Sequence, residues 1–117
     1  LREADYLSVN CDLNATSFHL LGENEFSVMK STSVVINTAR GSIIDESALI
    51  EALRKGWIAG AGLDVFEIEP LPEESPLREM NNVLLAPHNS NNSPAAWEKV
   101  HRSSLNNLLK GLKGSES

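Results

Sequence analysis

Residues 33–38 read SVVINT, β-branched and almost wholly apolar. A run with so little polar alternation predicts a strand buried on both faces, as in parallel sheets. Three more runs predict strands: YLSVNC at 6–11, which alternates partly, AGAGLDVF at 59–66, buried and with small residues at its start, and NVLLAP at 82–87. Helical patterns separate them. GENEFSVMK at 22–30 has its acids early and Lys30 late, as the helix dipole prefers. In DESALIEALRKG, Asp45 is an N-cap, Leu49, Ala52 and Leu53 share one face, and Gly56 stops the helix. SPLREM predicts a short helix begun by Ser75 and Pro76. Ser93 caps a long last helix that opens on Pro94, with Trp97, Val100, Leu105, Leu108 and Leu112 along one side. The order β-α-β-α-β-(short α)-β-α predicts an α/β architecture. It has about four parallel strands, helices on both faces and right-handed crossovers. Residues 1–112 form this unit, and 113–117, KGSES, are expected to be a disordered tail.

At 117 residues the chain suits one domain or part of one. With 41% hydrophobic and 22% charged residues, it has an ordinary globular composition. The net charge of −6 and scattered Lys and Arg argue against a nucleic-acid surface, which needs clustered positive charge. No apolar run approaches the roughly 20 residues of a membrane span. Cys11 is the one cysteine, which excludes an internal disulfide and fits a reducing cytoplasm. The chain opens on LREADY, which reads as a helix end entering a strand, so residues are expected upstream.

In a parallel sheet every strand ends on the same side, where ligands bind in open α/β folds. Cys11 and Asp12 follow the first run; Asn37, Thr38 and Arg40 follow the second. Asp64, Glu67 and Glu69 follow the third, and Pro87, His88 and Asn89 the fourth. The topology therefore gathers a cation for an anionic substrate, carboxylates and a histidine at one edge. Taken singly, Arg40 reads equally as a surface ion-pair partner, Asp64 as a bond acceptor for loop amides, and Glu67 and Glu69 as solvated charges. His88 after a proline reads as a loop histidine. Convergence from three successive strand ends favours the chemical reading. His19, beside Phe18, and His101, one turn after Trp97, read as structural. No spacing suggests a metal site, and no G-x-S-x-G elbow is present.

NTARGSIIDESALIEAL, GAGLDVFEIEPLP and SPLREMNNVLLAPH, in that order, resemble the D-isomer-specific 2-hydroxyacid dehydrogenases. The likeness runs from about residue 1 to 112 and covers the C-terminal half of that family's nucleotide-binding domain, plus the helix that follows. It implies a partial Rossmann-like domain that binds NAD, with NADP not excluded, and acts on 2-keto and 2-hydroxy acids. It implies that Arg40 binds the substrate carboxylate and keto oxygen, that His88 is the general acid/base and that Glu69 is its partner. It implies that Asp64 holds the nicotinamide amide, and that Cys11, Thr38 and Ala39 line the nicotinamide riboside. The chemistry agrees: a carboxylate beside a histidine favours its charged form, and a guanidinium clamps a carboxylate through two parallel bonds.

The family's glycine-rich G-x-G-x-x-G loop is absent. Residues 60–65, GAGLDV, carry Val65 in place of a third glycine and lie in the third strand run instead of opening a helix. Asp12 stands where proline is usual, and NSNNS follows His88 where small residues and glycine are expected. The resemblance thus describes a fragment of an NAD-dependent dehydrogenase (phosphoglycerate-, glycerate- or lactate-dehydrogenase-like), inactive by itself. The alternative is a non-catalytic assembly module built on the same fold. Formate dehydrogenase, where glutamine replaces the glutamate, is disfavoured by Glu69. A homodimer through the strand edge at 6–11 is expected, since the family's neighbouring strand has no counterpart here.

Overall fold

The computed structural model describes residues 1–90 and 92–114. Four parallel strands form one sheet in sequence order: β1 (Tyr6–Val9), β2 (Val34–Asn37), β3 (Gly60–Leu63) and β4 (Val83–Leu85). The register is in step, with Tyr6 beside Val34, Val34 beside Gly60, and Gly62 beside Leu84. Each strand is shorter than its apolar run. Asn10 and Cys11 lie past the end of β1, and Asp64 past the end of β3.

Between strands the chain forms α1 (Glu23–Ser27) and α2 (Glu46–Lys55). Glu25 folds back to accept the Gly22 N–H at the start of α1. The helix ends before Lys30, which pairs with Asp5 at 2.9 Å instead of closing the helix as its sequence position suggests. Asp45 caps α2 by accepting the Ala48 N–H, and Gly56 ends it at φ 69° in the left-handed region, where no Cβ is penalised. The SPLREM segment is a 3-10 turn, Pro76–Glu79. The last helix, α3 (Pro94–Gly114), is capped by the Ser93 hydroxyl, which accepts the Ala96 N–H. It runs through residues 113 and 114 of the expected tail; residues 115–117 lie outside the described ones.

The expectation of two covered faces is corrected. With strands in sequence order, right-handed crossovers put α1 and α2 on one side. There Val9, Val35, Ala61 and Leu63 join Phe26, Leu49, Ala52 and Leu53 in the core. The opposite face, with Tyr6, Ser8, Val34, Ile36 and Leu84, is half-buried or exposed, Tyr6 at 74% and Leu84 at 76%. So 33–38 is buried fully on one face only. All the side chains assigned to the stripe of α3 are exposed as well.

Candidate active site at the strand ends

Each strand delivers one piece of the site. Asn37, at the end of β2, is 1% exposed, and its side chain shapes the next turn. Its Oδ1 accepts the Ala39 N–H at 3.1 Å, and its Nδ2 donates to the Arg40 carbonyl at 2.9 Å. This clamp holds residues 38–40 in a tight loop and leaves the Arg40 side chain exposed. There its guanidinium rests on the Ala39 carbonyl at 2.6 Å. Gly41 follows because nothing larger fits: a Cβ would lie 1.9 Å from the Phe66 carbonyl carbon. The loops after β2 and β3 are therefore stacked backbone on backbone.

After β3, Asp64 turns inward and is 4% exposed. Its two oxygens accept the N–H groups of Asn89 and Ser90 at 2.8 and 2.9 Å. That arrangement depends on His88, whose φ of 58° turns the backbone into the left-handed region. Such a turn points successive N–H groups at one anion. Burial is the largest influence on Asp64 and would raise its pKa. The bonds from Asn89 and Ser90 and the charge of His88 outweigh it, so the carboxyl titrates below its usual 3.8.

Glu69 is hooked back by the Phe66 N–H, which donates to Oε1 at 3.0 Å. Its Oε2 meets His88 Nδ1 at 2.8 Å. The His88 hydrogen bond is the main cause that holds the Glu69 carboxyl below its usual 4.5. The Phe66 N–H and the charges of His88 and Arg40 act in the same direction, against desolvation. The charge of Arg40 thus reaches the Glu69 carboxylate.

Two clefts flank this edge. One, of about 330 Å³, is lined by Phe66, Glu69, Leu71, Arg78, Leu85 and His88 among others. The other, of about 470 Å³, lies at the ends of β1 and β2, between residues 10–13 and 38–40, and brings Cys11, Thr38, Ala39 and Arg40 together. Asp64 is tied up in the 88–90 turn instead of lining this cleft.

Arg40, Glu69 and His88, the residues that the sequence pattern singles out, are set along one edge by the fold. Asn37 and Gly41 carry no role in that pattern, although a polar residue ending an apolar strand and a glycine after Arg40 are both visible in the sequence. His19, which reads as structural, makes contacts on two sides. It does stack on Phe18, with centroids 4.0 Å apart, but it also pairs with Glu67 and lies 3.9 Å from Asp45.

Residues 1–90 match the family described as D-isomer specific 2-hydroxyacid dehydrogenase, NAD binding domain. A glyoxylate reductase of Korarchaeum cryptofilum is 41% identical over 114 residues, covering 97% of this chain and 34% of that protein. Glyoxylate/hydroxypyruvate reductase B of Enterobacter sp. strain 638 is 44% identical over 115 residues, covering 98% of this chain and 36% of that protein. The crystal structure of a D-isomer specific 2-hydroxyacid dehydrogenase from Lactobacillus delbrueckii ssp. bulgaricus, NAD complexed form, superposes with a TM-score of 0.84 at 31% identity. It covers 97% of this chain and 38% of that one. The chain spans about a third of the length of the curated relatives it matches. Sequence, fold and strand-end geometry agree, and the chain belongs to the D-isomer-specific 2-hydroxyacid dehydrogenase family, as part of its NAD-binding Rossmann-like domain.

Proposed function

We propose that this chain carries the acid–base and anion-binding half of a dehydrogenase that interconverts a small 2-keto acid and its 2-hydroxy acid. The observation that carries the reading is the hydrogen bond of Glu69 to His88 at the same sheet edge as Arg40. When bound, NAD(H) supplies the hydride chemistry. Arg40, always charged, leaves its carbonyl perch to clamp the substrate carboxylate through two parallel N–H bonds. Glu69 takes His88 Nδ1 and so fixes the ring, which leaves Nε2 to give a proton to the developing alkoxide or take one from the hydroxyl. Asp64 sets the 88–90 turn that presents His88, and its remaining lone pairs serve the nicotinamide amide. Cys11, Thr38 and Ala39 line the cleft for the nicotinamide end. Glyoxylate and hydroxypyruvate, named for the relatives, are the substrates to try first. The chemistry belongs in the reducing cytoplasm, which the exposed Cys11 thiol suits.

We further propose that the chain alone is inactive and forms a homodimer through the free edge of β1. That strand pairs only with β2 among the described residues, and its unpaired backbone groups invite another strand.

A chimera tests the catalytic reading. Residues 1–114 replace the matching segment of the Korarchaeum glyoxylate reductase, and NADH oxidation is followed with glyoxylate and hydroxypyruvate. Turnover is expected, with loss of about 100-fold or more in His88→Gln, the scale of removing a general acid. A chimera that folds and binds NADH but turns over equally well without His88 would overturn the assignment. The isolated chain should show neither turnover nor tight NADH binding, because no helix N-terminus with a glycine-rich approach is present among the described residues to hold the pyrophosphate.

A further inference from the structure

A second histidine–carboxylate pair lies behind the first. His19 is carried on the loop that follows β1, with its backbone at φ 48° in the left-handed region, a conformation non-glycine residues keep only when their surroundings fix it. Three backbone bonds do the fixing. The His19 N–H donates to the Ser42 carbonyl at 2.8 Å, Leu21 N–H to Ile43 at 3.2 Å, and Asp45 N–H to Leu21 at 2.9 Å. The loop is therefore laced along residues 42–45, just after Arg40 and Gly41. From this base the imidazole reaches across to the Glu67 carboxylate, with Phe18 stacked on its face and Asp45 3.9 Å from Nδ1.

Glu67 belongs to the segment that presents Glu69. Its N–H donates to the Glu46 carboxylate at the start of α2, at 3.1 Å. On its inner side the same segment lies directly against Gly41, with no space for a methyl group. Residues 66–67 are thus held on three sides: by the Gly41 backbone, by Glu46 and by His19. Three carboxylates lie close together here, Asp45, Glu46 and Glu67, and His19 is the group that ties to two of them.

We propose that His19 is a positioning residue: through Glu67 it presses the 66–69 segment onto the turn at Arg40 and Gly41. It thereby sets the spacing between the substrate-clamping arginine and the pair of Glu69 and His88. The proposal rests on the catalytic reading of that pair. Without the His19 tie, the 66–69 segment loses one of its three holds and moves away from the Gly41 turn. The Phe66 N–H then leaves Glu69, which loses one of the bonds that favour its charged form.

Glu69 itself reports the outcome. Its side-chain carboxyl is followed by carbon-13 NMR against pH in the 117-residue chain and in four variants. His88→Gln tests the pair: the Glu69 titration should move up toward the usual carboxylate range, and no movement would mean that the pairing reading fails. His19→Phe keeps the stack on Phe18 but removes both ring nitrogens. It should also move Glu69 upward and speed hydrogen exchange at the Phe66 amide. His19→Gln, which restores a donor near the Nε2 position, should return both readouts toward wild type. Glu67→Ala cuts the same tie from its other end and substitutes for His19→Phe should that variant not fold. If His88→Gln shifts Glu69 while His19→Phe and Glu67→Ala leave it and the Phe66 amide unchanged, His19 is no positioning residue. Loss of melting temperature in His19→Phe without movement of Glu69, or failure of His19→Gln to rescue, would likewise overturn the proposal.

Discussion

Gly41→Ala puts the close stacking of the two strand-end loops to a numerical test. The new Cβ would lie 1.9 Å from the Phe66 carbonyl carbon, 2.0 Å from its oxygen and 2.5 Å from the Glu67 nitrogen. Carbon atoms pack best at about 3.5 Å, so the shortfall is about 1.6 Å. All three neighbours are backbone atoms, and no side-chain rotation relieves the overlap. The 66–67 segment must move as a unit and give up the bond between the Glu67 N–H and Glu46. Backbone conformation adds no second cause, since Gly56 is the glycine with positive φ among those described, not Gly41. The penalty belongs at the upper end of overpacking, about 3 kcal/mol. For a chain of this size that corresponds to a melting temperature lower by about 12 °C. Urea and thermal unfolding followed by circular dichroism would measure it. Gly62→Ala is the control: its Cβ would meet only Ile36 Cγ1 at 3.9 Å, an ordinary contact. If Gly41→Ala unfolds within about 0.5 kcal/mol of the control, the ordinary scatter of surface changes, the loops are not stacked as described.

Acid should act through Asp64 and Glu69. Both pKa values are depressed in the folded state, so their stabilisation is present above the ordinary values of 3.8 and 4.5 and lost as pH falls through the folded ones. Urea midpoints should be level near neutral pH and fall in acid, with a shallower fall in Asp64→Asn; an equal slope in that variant would contradict the assignment. Glu46 has the opposite sign: burial, with the Glu67 charge adding to it, raises its pKa despite the Glu67 N–H bond. Its contribution is complete below the ordinary 4.5 and lost as pH rises through the folded value. Glu46→Gln should therefore gain stability on wild type at pH 7 relative to pH 4, measured by the same midpoints. Light scattering should give a dimer for the chain, with a larger monomer fraction in Tyr6→Lys, where a charge is placed on the β1 edge. A monomer at high concentration would refute that association.

Local chemistry decided much of this molecule before any packing. The caps at Asp45 and Ser93, the stop at Gly56 and the apolar runs act over a few residues, through hydrogen bonds and φ preferences that a sequence displays directly. Parallel order then brings Arg40, Glu69 and His88 to one edge, because every strand in such a sheet ends on the same side. What escaped local reading depends on long-range contact. Lys30 leaves its helix for Asp5, a partner 25 residues away. Val34 and Ile36 look like core residues, but strands taken in sequence order put α1 and α2 on one face and leave the other uncovered. Gly41 shows its purpose only when Phe66 is laid against it, and His19 only when its loop has crossed to Glu67. A residue's type and its immediate neighbours limit which bonds it can make. Which of those bonds forms is settled by groups that only the folded backbone brings within about 3 Å, the range over which a hydrogen bond acts.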